Sequence, residues 1–254
     1  MPYLMEVVHS GKVREVTKKY SARYGKKGIR RSPNSNPTPE DVRVQNERNA
    51  EKKLRRLINS NFGFNDIHLV LTYRISERPD PKTARSHLEK FLRSLRKLYG
   101  DSGEELKYIC VTEYKNKAVH HHLIINSFDM RLITPLWPYG RARPTFLDNT
   151  GQYGKLAAYF IKETRATYTE ETAVFRKRWN QSRNLKKPDV KIKIVQRDSW
   201  TKEPKAVKGY ALESDSVYTG ISRVTGYPFQ FYSMIQLQKI HGSRKHRNAG
   251  CLRI

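Results

Sequence analysis

The chain has 254 residues, with 50 lysines and arginines against 24 aspartates and glutamates, so its formal net charge is +26. Such an excess of positive charge is typical of proteins that neutralise phosphates, which indicates nucleic acid as the partner. The 37% of hydrophobic residues predicts a modest core, and the two cysteines exclude a disulfide framework and a cysteine-rich zinc site. We find no apolar run long enough for a signal peptide or a membrane span, and predict a soluble cytoplasmic protein without membrane contact.

Residues 1–60 are predicted to form a basic N-terminal extension. A hairpin is indicated around His9-Ser10-Gly11-Lys12, in a segment that is too polar to pack alone. Thr38 is a helix-capping residue and Pro39 suits a first helical turn, so a helix is predicted from Pro39 to Ser60. Its basic face is either simply solvated or contacts phosphates.

Residues 61–180 are predicted to form the central domain. The apolar run at 67–73 indicates a buried strand, and Asp80-Pro81 begins a helix that reaches about Tyr99 and carries one apolar stripe. A hairpin over 107–126, an irregular stretch around 134–140 and a helix over 151–164 follow. This order predicts an α+β fold built on an antiparallel sheet.

Residues 181–254 are basic and rich in aromatic side chains. A strand is predicted at 191–195, and the segment 218–232 is dense in aromatic residues. Aromatic rings among basic residues either stack on unpaired bases or pack inside a small β-rich appendage. The chain contains no phosphate-binding loop of the Gly-x4-Gly-Lys-Ser/Thr type, so nucleotide hydrolysis is not expected.

Two histidines on one strand are the strongest chemical signal. His120 and His122 are two residues apart, so both side chains point to the same face, and a tight turn at 115–118 would set Glu113 opposite His120. Two imidazoles and one carboxylate suit a catalytic divalent ion, with Mg²⁺ or Mn²⁺ favoured by the carboxylate. Such a pair is also found as two surface histidines. His121 would face the core, and a register shift of one residue would overturn the assignment.

Tyr159 is the candidate nucleophile. On a helical wheel it lies in a polar stripe with Lys155 and Lys162, opposite the apolar face that includes Tyr153. Two ammonium groups within one turn would favour the phenolate, the form that attacks a phosphodiester, and Lys162 could stabilise charge on the phosphoryl oxygens. Exposed tyrosines are common, so the wheel alone does not separate a catalytic tyrosine from an ordinary one.

Together these features resemble the HUH endonucleases, specifically the single-tyrosine rolling-circle replication initiators of bacterial plasmids, phages and integrative elements. The resemblance covers about residues 64–165, and the strand at 69–73 is similar to the first motif of that family. His121 departs from the pattern, because a bulky apolar residue is usual there. The remaining matches are the metal motif, with Glu113, His120 and His122, and the nucleophile motif, with Tyr159 and Lys162.

The resemblance implies a five-stranded antiparallel sheet that carries Mn²⁺ or Mg²⁺ on its surface, with single-stranded DNA across it. In such enzymes the tyrosine attacks the phosphate at the nick site of the origin. A 5′-phosphotyrosine link forms, a free 3′-OH is extended by a polymerase, and the reverse reaction rejoins the ends without ATP. Host helicase and polymerase are the implied partners in a bacterial cytoplasm, and the expected DNA contacts are Lys155, Thr72 and Arg74.

Other classes fit part of the sequence. A tyrosine transposase of the same superfamily is disfavoured by the long segments on both sides of the motifs, and a relaxase by the position of its tyrosine ahead of the histidines. A non-catalytic nucleic-acid-binding protein would explain the charge and leave the histidines incidental. A metal-dependent β-barrel enzyme would leave the charge of +26 unexplained.

Overall fold

The regular structure consists of two β-sheets and four α-helices in the part of the chain that this computed structural model describes, residues 3–21, 24–25, 38–114, 118–165, 174, 177–196, 200–221 and 226–237. The helices are α1 (Pro39–Asn61), α2 (Pro81–Asp101), α3 (Met130–Ile133) and α4 (Gly154–Glu163). The strands are β1 (Tyr3–Ser10), β2 (Val13–Tyr20), β3 (Ile67–Thr72), β4 (Tyr108–Glu113), β5 (His120–Ile125), β6 (Ala142–Phe146), β7 (Asn180–Gln181), β8 (Asp189–Val195), β9 (Tyr210–Leu212), β10 (Tyr218–Ile221) and β11 (Pro228–Gln236).

The central sheet has five antiparallel strands in the order β6-β3-β5-β4-β7. Its inner strands are rich in β-branched and apolar residues, which favour strands buried on both faces. The register places Glu113 opposite His120, as predicted. Most of the predicted turn at 115–118 lies outside the described residues. Strand β6 was not predicted; it contains Pro144, which is tolerated because β6 is an edge strand.

Helix α2 covers one face of the central sheet. Its N-cap is Asp80, whose carboxylate accepts hydrogen bonds from the backbone N–H groups of Lys82 and Thr83. The predicted apolar stripe packs into a core with the odd-numbered residues of β3 and β5. Its fully buried members include Ala84, Phe91 and Leu95 from the helix and Leu69, Leu71 and Leu123 from the sheet.

Helices α1 and α4 pack against each other and against the opposite face of the sheet. Leu54 and Ile58 of α1 and Phe160 of α4 join Ile109 and Ile124 in a second core. Thr38 caps α1 in a reciprocal capping box with Asp41. Farther along the same strands this face carries polar side chains, which form the site described below.

A second sheet joins the two ends of the chain. Its order is β10-β11-β2-β1-β8, and β9 pairs with β11. The predicted N-terminal hairpin is present, but it lies in the middle of this sheet, between C-terminal strands, and Val8 and Val13 are fully buried. The sequence did not predict this position, because it results from pairing between strands that are far apart in the chain. Neither the N-terminal hairpin nor the C-terminal strands carry a local signal for their partners. The boundaries at 60/61 and 180/181 stay predictions.

The hairpin is fixed to α1 by buried ion pairs and a close backbone approach. Glu15 is 1% exposed, and its carboxylate accepts hydrogen bonds from Arg55 at 2.9 and 3.0 Å and from Arg56 at 2.7 Å. Gly11 has φ +58°, and a Cβ there would overlap with the carbonyl oxygen of Asn59. The carboxylate of Glu15 and the absence of a side chain at Gly11 therefore both contribute to this contact.

We expect Glu15→Ala to lower the free energy of unfolding by about 3 kcal/mol, because it leaves two partly buried guanidinium groups without their shared partner. Urea denaturation followed by circular dichroism measures this loss. The control is Glu89→Ala, which removes the exposed partner of Arg85 and should cost at most about 1 kcal/mol. Equal losses in the two variants would contradict the structural role of the buried pair.

The α+β class with a central antiparallel sheet of about five strands is confirmed. In the described ranges, no helix combines the length and the apolar character needed to cross a membrane.

Candidate active site

The site lies on the face of the central sheet that α4 packs against, where β4 ends and β5 begins. Antiparallel register puts Thr72, His120 and Glu113 in one row across β3, β5 and β4. His122 follows two residues along β5, so its side chain points to the same face. Helix α4 brings the ring of Tyr159 to 5.2 Å from the ring of His122, measured between centroids.

Glu113, His120 and Glu163 form a compact group. One candidate ligand atom from each lies within 4.8 Å of the others, and His120 Nε2 is 3.2 Å from Glu113 Oε2. His120 Nδ1 lies 2.8 Å from the carbonyl oxygen of Ala118. Donation of the Nδ1 proton to that oxygen turns the other ring nitrogen, with its lone pair, toward the carboxylates.

The chemistry of this group fits a divalent cation. Glu113 is 6% and Glu163 is 9% exposed, and two buried carboxylates this close together are costly unless positive charge lies near both. Two carboxylates and one imidazole are hard and borderline donors, which suit Mn²⁺ or Mg²⁺. The structure thus offers a possible metal site that includes two of the three predicted ligands.

Glu163 is the residue of this group that sequence reasoning missed. It is the last residue of α4 and lies four positions after Tyr159, and residues at this spacing are neighbours on a helix surface. The spacing of Tyr159 and Glu163 was the signal in the sequence that could have identified Glu163, because a carboxylate one helical turn from a candidate nucleophile lies beside it on the helix surface.

His122 makes two contacts through its two ring nitrogens. Nδ1 lies 3.2 Å from Nε2 of His68, and Nε2 lies 3.4 Å from the hydroxyl oxygen of Tyr159. His122 is not a member of the three-residue group, so its predicted role as a metal ligand stays a prediction. Burial lowers the pKa of His68 to about 4, which keeps that ring neutral near pH 7.

Tyr159 is placed as the helical wheel predicted. It is 38% exposed, and Lys155 and Lys162 on the same stripe are exposed as well. Tyr153, in contrast, is 5% exposed and donates its hydroxyl proton to the carbonyl oxygen of Asp148 at 2.8 Å. Of these two tyrosines on α4 and its cap, Tyr159 is the one that a substrate can reach.

His121 is a core residue, as expected. It is fully buried, with Nε2 3.0 Å from the Tyr73 hydroxyl oxygen and Nδ1 2.8 Å from Oγ1 of Thr112. Burial lowers the pKa of His121 to about 3, so the ring is neutral near pH 7. Because successive side chains of a strand point to opposite faces, His120 and His122 point away from this core and toward the site.

The residues predicted to contact DNA lie around this face. Thr72 is in the row of His120, and Arg74 follows β3 as an exposed residue that pairs with Glu77 at 2.9 Å. Arg141 and Arg143, which the sequence analysis did not single out, are exposed and lie opposite Thr72 and Val70 at the edge of the sheet. Residues directly opposite in antiparallel strands point to one face, so both arginines border the site.

A central α+β domain with a candidate metal group and an accessible tyrosine beside it has the parts of a nuclease-type site. Residues 66–166 match the family model described as replication-associated protein ORF2/G2P. The match covers less than half of the chain but spans every site residue from Thr72 to Glu163. It supports a replication initiator that acts on DNA. Comparisons with curated proteins and with solved structures found no match.

Proposed function

We propose that this protein initiates replication by nicking and rejoining single-stranded DNA at an origin, with Tyr159 as the nucleophile. The observation that carries the proposal is the contact of the Tyr159 hydroxyl with His122, beside the group of Glu113, His120 and Glu163. The match to a replication-associated family over the same residues supports it.

In the nicking step, the hydroxyl oxygen of Tyr159 attacks the scissile phosphorus. A phosphorus–oxygen bond to the tyrosine forms, the bond to the 3′ oxygen breaks, the phenolic proton is lost and the 3′ oxygen gains a proton. One phosphodiester replaces another, so the reverse reaction rejoins the strands without ATP. His122 Nε2 accepts the hydrogen bond of the hydroxyl and orients it toward the phosphate.

The charged residues around Tyr159 supply the electrostatic part of catalysis. Glu113, His120 and Glu163, with His122 as a further candidate ligand, would hold a divalent ion, which when bound polarises the scissile phosphate. Lys162, exposed one turn from Tyr159, neutralises charge on the phosphoryl oxygens as the new bond forms. Lys155 on the same stripe contacts the neighbouring backbone phosphate.

The bound strand follows the open edge of the same face in this proposal. Arg141 and Arg143 line that edge, Arg74 follows Thr72 just after β3, and guanidinium groups pair well with phosphates. Host helicase and polymerase would then act on the nicked origin, in a bacterial cytoplasm.

We expect the affinity for single-stranded DNA to fall steeply with salt, and Arg141→Ala with Arg143→Ala to reduce that dependence. Each lost phosphate contact should lower the slope of log K against log salt by roughly 0.7. Fluorescence anisotropy on labelled oligonucleotides at several salt concentrations measures the slope. The matched control is Arg93→Ala with Lys97→Ala, two exposed cations on α2, behind the opposite face. An equal change in both double variants would contradict this DNA path.

The direct test of the proposal uses single-stranded fragments that tile the replicon carrying this gene. The full chain is incubated with each fragment and Mn²⁺, and covalent adducts are sought on denaturing gels. We expect one fragment to give an SDS-resistant adduct and a shorter strand with a free 3′-OH, and EDTA to prevent both. Tight binding to all fragments without any adduct would instead favour a non-catalytic nucleic-acid-binding protein.

A further inference from the structure

His68 is a partly buried residue next to the site, and the proposed function gives it no role. It lies on β3, in the register row of Ile124, and its ring points to the same face as Val70 and Thr72. Its Nε2 is 3.2 Å from Nδ1 of His122, and the planes of the two rings are inclined by 25°. The ring of Phe160 lies 5.5 Å from the ring of His68, measured between centroids, so α4 packs against the pair of His68 and His122.

The two nitrogens of His122 have different partners, and this constrains where its proton lies. A neutral imidazole has one N–H donor and one acceptor nitrogen. The Tyr159 hydroxyl, 3.4 Å from Nε2, can donate only if Nε2 carries the lone pair. A metal ion at Nε2 would need the same lone pair. Both functions therefore require the proton on Nδ1, which faces His68.

We infer that His68 is a positioning residue that accepts the Nδ1 proton of His122 and so holds the Nε2 lone pair toward Tyr159. Its Nε2 is the acceptor, and its own proton then lies on Nδ1. The tautomer is a property of the chain, but its catalytic consequence rests on the proposed nicking function. The inference holds for either partner of the Nε2 lone pair, the Tyr159 hydroxyl or a bound metal ion, because both require the proton on Nδ1 and the single lone pair serves one of them at a time.

The experiment begins with the wild-type chain, labelled with ¹⁵N-histidine and kept in EDTA. Nitrogen chemical shifts and two-bond couplings distinguish protonated from unprotonated ring nitrogens, and comparison with His122→Gln assigns the His122 signals. We expect His122 to carry its proton on Nδ1. A proton on Nε2 of His122 in the wild-type protein overturns the inference without any further variant.

Two substitutions at position 68 then test the acceptor. His68→Phe fills the space without an acceptor, whereas His68→Gln can offer its amide oxygen near the position of Nε2. In His68→Phe we expect a mixture of His122 tautomers and an adduct formation rate lowered about 10- to 100-fold at saturating DNA, with the DNA Kd unchanged. His68→Gln should restore both the Nδ1-protonated form and much of the rate.

The outcomes separate this inference from the proposed function. If wild-type protein forms no adduct, the proposed function fails while the tautomer measurement still decides the role of His68. An unchanged tautomer and rate in His68→Phe would overturn the inference and leave the nicking function intact. Equal loss of rate in both variants, with a lower Tm, would show that His68 acts only in packing.

Discussion

Tyr159→Phe should abolish the covalent protein–DNA adduct and leave DNA binding nearly unchanged. The substitution removes only the hydroxyl oxygen, which is the atom that would form the bond to phosphorus, and no other atom of the side chain can replace it. The ring remains 38% exposed on α4, so stability should change little. Denaturing gels measure the adduct, and fluorescence anisotropy measures the affinity for the same oligonucleotide.

Tyr153→Phe is the matched control on the N-terminal cap of the same helix. It removes the hydrogen bond from the Tyr153 hydroxyl to the carbonyl oxygen of Asp148, which should cost about 1 kcal/mol of stability. The adduct should still form. An adduct that persists in Tyr159→Phe and disappears in Tyr153→Phe would show that the wrong tyrosine had been chosen.

The parts of the fold that the sequence predicted are those with local causes. Helices α1 and α2 begin directly after Thr38 and Asp80, because these two side chains accept hydrogen bonds from backbone N–H groups of the first turn. Such N-caps can be recognised from four consecutive residues of the sequence. The register of Glu113 with His120 also has a local cause, because only six residues of the sequence separate two apolar strands, as a hairpin requires. The polar stripe of Tyr159 follows from helical periodicity alone.

The remaining features depend on pairings between distant segments. The second sheet places β1 beside β8 and β2 beside β11, and no residue in the N-terminal hairpin encodes which later strand it meets. The contact of His68 with His122 likewise requires β3 to lie next to β5. Glu163 joins Glu113 and His120 only because packing of α4 against α1 and the sheet brings the end of α4 close to the end of β4. Tertiary packing, not local preference, decides these positions.

Loss of any donor from the group of Glu113, His120 and Glu163 should weaken Mn²⁺ binding. Each of Glu113→Ala, His120→Ala and Glu163→Ala removes one of three donors, and the two carboxylate variants also remove a full negative charge. We expect the Kd for Mn²⁺ to rise at least about tenfold, or 1.4 kcal/mol, in each. Isothermal titration calorimetry on the full chain without DNA measures this change independently of nicking.

Alanine at the two remaining histidines of β5 tests which face of the strand binds the ion. His122→Ala should also weaken Mn²⁺ binding if Nε2 is a ligand, as the sequence predicted. His121→Ala should instead lower the free energy of unfolding by about 1–3 kcal/mol and leave the Kd nearly intact, because this ring bonds Tyr73 and Thr112 in the opposite core. Weaker Mn²⁺ binding in His121→Ala, with normal binding in His120→Ala, would rule out the register on which the site depends. If Mn²⁺ binding is normal in Glu163→Ala and weakened in the other variants, Glu163 is not a ligand. The donors would then be Glu113, His120 and His122 on β4 and β5.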